Sequence, residues 1–143
     1  MKYNKLKKKF LNLLMINGNK KTSEKLLIKV IKRIQKSFYK KSCKDLIKIG
    51  LINSAPILFL KTVKRKRKKT VKFPFLLSSS LRVFYGLKFI LKSCLSKKNQ
   101  SSYLTIGTEL VNSTTNTSFS SKKKKDLHKE GFLNKKFANY RWF

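Results

Sequence analysis

Lys64–Lys69 is a run of six consecutive basic side chains. Neighbouring charges of one sign repel, so such a run stays in water unless a dense anion meets it. The chemistry it offers is electrostatic capture of phosphate. Lys64, Arg65, Lys66, Arg67, Lys68 and Lys69 are therefore candidate contacts to a polyanion. Three more clusters add to them: Lys7–Lys9, with Lys8 and Lys9 as its candidates, Lys20 with Lys21, and Lys122–Lys125. Near the C-terminus Tyr140, Arg141 and Trp142 combine flat rings with a guanidinium, a set suited to stacking on bases or sugars. Phe137 is expected inside the core and Tyr140–Trp142 at the surface.

Catalysis fits poorly. Acid–base work needs a positioned pair of titratable groups. The acids are Glu24, Asp45, Glu109, Asp126 and Glu130, and they are scattered. Asp126, His128 and Glu130 lie close in sequence, but residues two apart on a helix do not share a face. Asp126 and Glu130 read as local partners of nearby lysines. Gly18, Gly50, Gly86, Gly107 and Gly131 are isolated, so no glycine loop cradles phosphate. Cys43 and Cys94 stand far apart without a CxxC, and there is one histidine. Buried free thiols are expected, with no metal and no cofactor. The expectation is a protein that is not an enzyme.

The whole composition agrees. The chain has 143 residues, with Lys+Arg 37 against Asp+Glu 5, a formal charge of +32. Self-repulsion of that size opposes a compact state. A polyanion relieves it, and phosphate backbone binds such chains by releasing counterions. A hydrophobic content of 41% is enough for a core in one domain spanning residues 1–143. Lys, Ile, Asn and Phe are plentiful while Ala, Gly and Pro are scarce, the bias of an AT-rich genome, for which organelles are the usual source. The apolar window Leu46–Leu60 contains Lys48 and Pro56 and is too short to span a bilayer. Leu11–Ile16 is too short for a secretory signal, and Met1–Lys9 is not a transit peptide.

The elements that must position these residues are mostly helical. Met1–Lys9 reads as a mobile basic lead-in. Leu6, Phe10, Leu13 and Leu14 make a first apolar stripe, ending at the turn Asn17-Gly18-Asn19. Thr22 or Ser23 caps a second helix, whose Leu27, Val30, Ile31, Ile34 and Phe38 form the clearest amphipathic face. Leu46, Ile47, Gly50 and Leu51 suggest a third helix ending near Asn53–Pro56. Residues 57–77 then read as a β-hairpin arm with a basic tip. In it Val71, Phe73 and Phe75 alternate with Thr70, Lys72 and Pro74, and Pro74 suits an open edge. Phe84, Leu87, Leu91 and Cys94 or Leu95 mark a fourth helix, with Arg82 on its polar side. Tyr103, Leu104, Gly107, Leu110 and Val111 mark a weaker fifth. Asn112–Ser121 reads as a loop or frayed helix, and Lys122–Phe143 as a last helical segment of poor apolar period. The predicted fold is mainly α: about six helices, with the arm between the third and fourth.

Two stretches carry a resemblance. KFLNLLMINGNKKTSE at Lys9–Glu24 resembles the N-terminal signature of the universal small-subunit ribosomal protein seven family, and NKKFANYRW at Asn134–Trp142 resembles its ending. NSAP at Asn53–Pro56, the basic arm, Val71–Pro74, the helix Arg82–Ile90, Glu109-Leu110 and KKKKDLH at Lys122–His128 follow in the same order and spacing. The resemblance implies a helical body with a β-hairpin arm that binds the head region of small-subunit rRNA. It also implies assembly of the head near the exit-site tRNA, beside small-subunit proteins nine and eleven. Lys20, Lys21, Lys64–Lys69 and Lys122–Lys125 match the family's basic positions, and Arg141 and Trp142 match its ending. The chain departs from the family at Asn19, where a basic residue is usual, and at Ala55, where arginine is common. Its arm tip lacks glycine, which implies a longer, looser tip, and its N-terminal extension is short.

The expected function is a structural constituent of an organellar small ribosomal subunit, mitochondrial before plastid, with no membrane partner. Two alternatives compete: a non-specific DNA-compacting nucleoid protein, and a peripheral membrane protein using the amphipathic stretch Ile28–Phe38.

Overall fold

The structure is a computed structural model and describes residues 3–37, 42–64, 70–95 and 101–139. Six helices and one hairpin follow in order: α1 (Tyr3–Leu14), α2 (Lys20–Ser37), α3 (Cys43–Ser54), β1 (Leu58–Lys64), β2 (Thr70–Leu76), α4 (Ser79–Leu95), α5 (Ser102–Thr114) and α6 (Phe119–Leu133). A short 3-10 turn, Lys135–Phe137, closes the described chain. The mainly helical architecture with an arm between α3 and α4 is the one predicted.

The core joins Leu6 and Phe10 of α1, Leu27, Val30 and Ile34 of α2, Leu46, Ile47 and Leu51 of α3, Leu87 and Ile90 of α4, and Ile106 and Leu110 of α5. Helix α5 is the hub, packing against α2, α3 and α4. Cys43 and Cys94 are buried in this cluster and not joined in a disulfide, as expected. Burial raises the Cys43 thiol pKa, which disfavours its reactive thiolate.

Several local expectations need correction. The stretch read as a mobile lead-in is helical from Tyr3, because burial of Leu6 and Phe10 gives it a face to dock. The turn after α1 is built as predicted, with Asn17 at φ 51° and Gly18 at φ 74°, a region glycine enters without steric cost. Helix α2 starts at Lys20, so Thr22 and Ser23 lie inside its first turn. Their hydroxyls donate back to the carbonyls of Asn19 (2.6 Å) and Lys20 (2.7 Å) and do not cap it. In α4 the buried face is Leu87, Ile90 and Cys94, and Phe84 and Leu91 are only half-buried. In α5 Ile106, absent from the predicted stripe, is buried beside Leu110.

The largest correction concerns Asn112–Ser121. Helix α5 runs on to Thr114, and α6 begins at Phe119. Ser118 caps α6 by accepting the N–H of Ser121 at 3.1 Å. Ser113, Ser118, Ser120 and Ser121 are all buried. Small polar side chains with local partners can sit where aliphatic ones would not fit.

In the arm β1 and β2 pair antiparallel, with Phe59 opposite Phe75, Lys61 opposite Phe73 and Val63 opposite Val71. The alternation of Val71, Phe73 and Phe75 holds, and Phe73 is buried. Phe73 meets Phe137 edge-on at 5.4 Å, but Phe137 is only half-buried and lies outside the main hydrophobic cluster, because its short 3-10 turn packs on the arm and not into the core expected for it. Leu77 donates its N–H to the Ile57 carbonyl at 3.0 Å. That bond sets the parity of the ladder, and Pro74, opposite Leu60, falls where an N–H would point away from β1.

Candidate nucleic-acid interface

The first turn of α4 is where distant basic residues meet. Lys9, from α1, donates from Nζ to Ser80 Oγ at 2.6 Å and to the Ser80 carbonyl at 3.2 Å. Arg82 follows on the same turn and is exposed. Lys124, from α6, donates from Nζ to the Ile52 carbonyl at 3.2 Å. Its pKa is lowered by burial and by the neighbouring positive charge of Arg82. Three cations separated by 73 and 42 positions in sequence (82 − 9 and 124 − 82) thus stand around one helix start.

The remaining predicted residues sort by element. Lys8 is exposed on α1, and Lys20 and Lys21 are exposed at the start of α2. Lys122 and Lys125 are exposed on α6, while Lys123 lies half-buried with its ammonium 5.2 Å from the Phe119 ring centre. Lys64 is exposed at the far end of β1. Seven strand residues carry it about 20 Å from the arm's root. Arg65, Lys66, Arg67, Lys68 and Lys69 lie outside the described residues, as do Tyr140, Arg141 and Trp142. So does the expectation of a loose arm tip.

With five acids against 37 basic residues, few cations can be paired with a carboxylate. Among the described residues the ion pairs are Lys20–Glu24 (3.9 Å), Lys48–Asp45 (3.5 Å) and Lys72–Glu130 (2.7 Å). Among the described candidates only Lys20 has a carboxylate, and that pair is exposed and weak. Helices α2, α4 and α6 have no acid in their first turn. Their openings hold Lys20 and Lys21, Arg82, and Lys122 respectively. Cations there oppose the helix dipole, whose N-terminal end favours anions. A phosphate arriving at these openings satisfies both the dipole and the side chains.

Three residues with structural roles escaped the sequence reading. Glu109 is buried and accepts the Ser120 N–H at 3.0 Å, tying α5 to the start of α6. His128 accepts the Ile57 N–H on Nε2 at 3.1 Å. Burial, and then the charge of Lys124, hold its pKa below the ordinary 6.5. Glu130, expected to pair within its own helix, reaches across to Lys72 of the arm. A lone acid and a lone histidine carry no periodicity, so only the tertiary fold shows their partners.

Beside the arm's root an apolar cleft of about 590 Å³ lies between the hairpin and the end of α6. Leu76, on its wall, is exposed. Among the described residues no groups of His, Cys, Asp and Glu could hold a metal ion, and no helix is long and apolar enough to cross a membrane. Leu27, Val30 and Ile34 are buried in the core. Most of the apolar face of α2 is thus committed inside the protein, with Ile28 exposed.

Comparison with known proteins bears on what these cations meet. A family model described as ribosomal protein S7p/S5e matches residues 1–135. Similar proteins include the small ribosomal subunit protein uS7 of Wigglesworthia glossinidia brevipalpis, 29% identical over 134 residues, covering 94% of this chain and 85% of that protein. The uS7 of Desulfitobacterium hafniense is 31% identical over 142 residues, covering 97% and 88%. That of Chlamydia pneumoniae is 28% identical over 134 residues, covering 94% and 85%.

Proposed function

Because the chain belongs to the ribosomal protein S7p/S5e family, we propose that its converging cations bind rRNA in the head of the small ribosomal subunit. Membership makes the protein a structural constituent of that subunit and not an enzyme. The observation that carries the rRNA reading is the meeting of Lys9, Arg82 and Lys124 at the start of α4, with no ion pair to a carboxylate among the described residues. Phosphates of a folded RNA approach from several directions, and a rigid body with basic helix openings can receive them together. The tip residues Lys64–Lys69 extend the contact, and Lys8, Lys20, Lys21, Lys122, Lys123 and Lys125 add to it. Tyr140, Arg141 and Trp142 supply stacking at the end of the chain.

In this reading the protein organises assembly of the head near the exit-site tRNA, beside small-subunit proteins nine and eleven. Its Lys-, Ile-, Asn- and Phe-rich composition supports an organellar ribosome, mitochondrial ahead of plastid. The relatives named above are bacterial.

A competition titration at raised salt tests the reading. The probe is an rRNA fragment of the head, against equal masses of scrambled RNA and duplex DNA. Preference for the head fragment is expected to survive. Equal loss on all three ligands would leave a non-specific polycation and favour the DNA-compacting alternative. Replacing Arg65, Arg67 and Lys69 together by Ala should lower the slope of log K against log salt by roughly one unit per lost phosphate contact. An unchanged slope would remove the arm tip from the interface.

A further inference from the structure

Helix α6 is the seat of the arm. His128 and Gly131, three residues apart, share one face of it. Gly131 leaves room for Leu58: a Cβ added there would stand 2.7 Å from Leu58 Cδ1. His128 takes the arm's first backbone donor. Ala55 N–H closes back on the Leu51 carbonyl at 2.8 Å, Pro56 has no N–H, and Ile57 N–H goes to His128 Nε2 at 3.1 Å. The carbonyl of Ile57 accepts Leu77 N–H from the returning strand. One residue therefore joins both strands of the arm's root to α6. Because Ile57 is 47% exposed, water can replace the histidine. The bond thus governs where the root sits more than how stable the fold is.

The charged groups around His128 are Lys124 one turn earlier, Arg82 of α4 beside Lys124, and Lys135 on the wall of the same cleft. The Lys72–Glu130 pair lies farther along the arm, its carboxylate already engaged. These surroundings favour the neutral ring.

We propose that His128 is a positioning residue for rRNA capture: as a neutral acceptor it fixes the root of the arm, and protonation releases it. A proton on Nε2 turns the acceptor into a donor facing another donor. The sign follows. The fold holds this pKa below the unfolded value of 6.5, so the contact is complete above that pH. It is lost as pH falls through the folded midpoint. The proposal rests on the reading that the arm tip meets rRNA phosphate.

The test follows the Ile57 amide and the His128 ring nitrogens by NMR in the full-length chain, from about pH 8 down to about pH 5. Affinity for the head rRNA fragment is measured in parallel. The chain has one histidine, so no other imidazole titrates in that range. Two variants accompany it: His128→Gln, whose Oε1 can accept in place of Nε2 without titrating, and His128→Leu, which cannot accept. In the wild type the Ile57 amide should move with the imidazole. Affinity should fall roughly twofold to tenfold on acidification, the equivalent of one hydrogen bond. Added positive charge alone would strengthen RNA binding, so the sign identifies the mechanism. His128→Gln should stay flat at the neutral wild-type level and His128→Leu flat at the weaker level. An Ile57 amide that ignores the imidazole, or a Gln variant as weak as Leu, would overturn the proposal. So would an Ile57 shift without any affinity change. In that last case the Arg65, Arg67 and Lys69 variant locates the fault. If it binds weakly, His128 does not position the arm; if it binds like wild type, the tip does not touch rRNA.

Discussion

Helices α2 and α6 are both long and lysine-rich, and they are held in the molecule by different means. Helix α2 buries Leu27, Val30 and Ile34, a stripe of aliphatic area. Helix α6 buries Ser120, Ser121 and Gly131 and gives no side chain to the hydrophobic cluster. Its attachments are individual. Ser54 Oγ and Ser120 Oγ lie 3.0 Å apart, Glu109 accepts the Ser120 N–H, His128 holds Ile57, and Gly131 admits Leu58. Area is forgiving of small shifts, whereas each directed contact has one geometry. The body is set by hydrophobic burial, and the arm's seat is set by fit.

That contrast can be broken at its strongest point first. Ile34→Ala in α2 should cost about 2–5 kcal/mol in urea unfolding, as a buried aliphatic side chain leaves a cavity. A loss well under that range would mean α2 is not held by area. Glu109→Ala should cost about 1–3 kcal/mol, because the buried Ser120 N–H loses its acceptor. Glu109→Gln keeps an oxygen there and should recover much of the loss; failure to do so would point to charge and not hydrogen bonding. Gly131→Val should cost about 1–3 kcal/mol by crowding Leu58. Its chemical-shift changes should be confined to residues 57–60 and 127–132, and changes spread through α2 would contradict a separate seat. The smallest effect is expected for Lys72→Ala. Both partners of that pair are about half exposed, at 44% and 50%, so the loss should be about 0.2–1 kcal/mol and should shrink in salt.

The same contrast explains what could be read in advance. The aliphatic stripe of α2, the third helix and the alternation in β2 are periodic signals, and the structure bears them out. Helix α6 gave none, because serine and glycine register as polar or neutral whether they are buried or not. Asn112–Ser121 reads as a loop or frayed helix for that reason, although Ser113, Ser118 and Ser120 are among the most buried residues. At the interface the basic clusters were visible as runs. Their convergence was not, since nothing in the sequence around Lys9 indicates Ser80 or Lys124 indicates Ile52. From sequence His128 reads only as a weak partner for Asp126, and in the fold it accepts from a backbone group 71 positions away.

Pro74 has a bearing on the chain before it reaches its ribosome. A two-stranded arm has an outer edge on each strand, and an outer edge can recruit a strand from another copy. On β2 the outward donors fall at Thr70, Lys72 and Leu76, with Pro74 interrupting the row between the last two. A second arm laid along that edge would lose a hydrogen bond at Pro74. Newly made copies are therefore discouraged from zipping together through this edge.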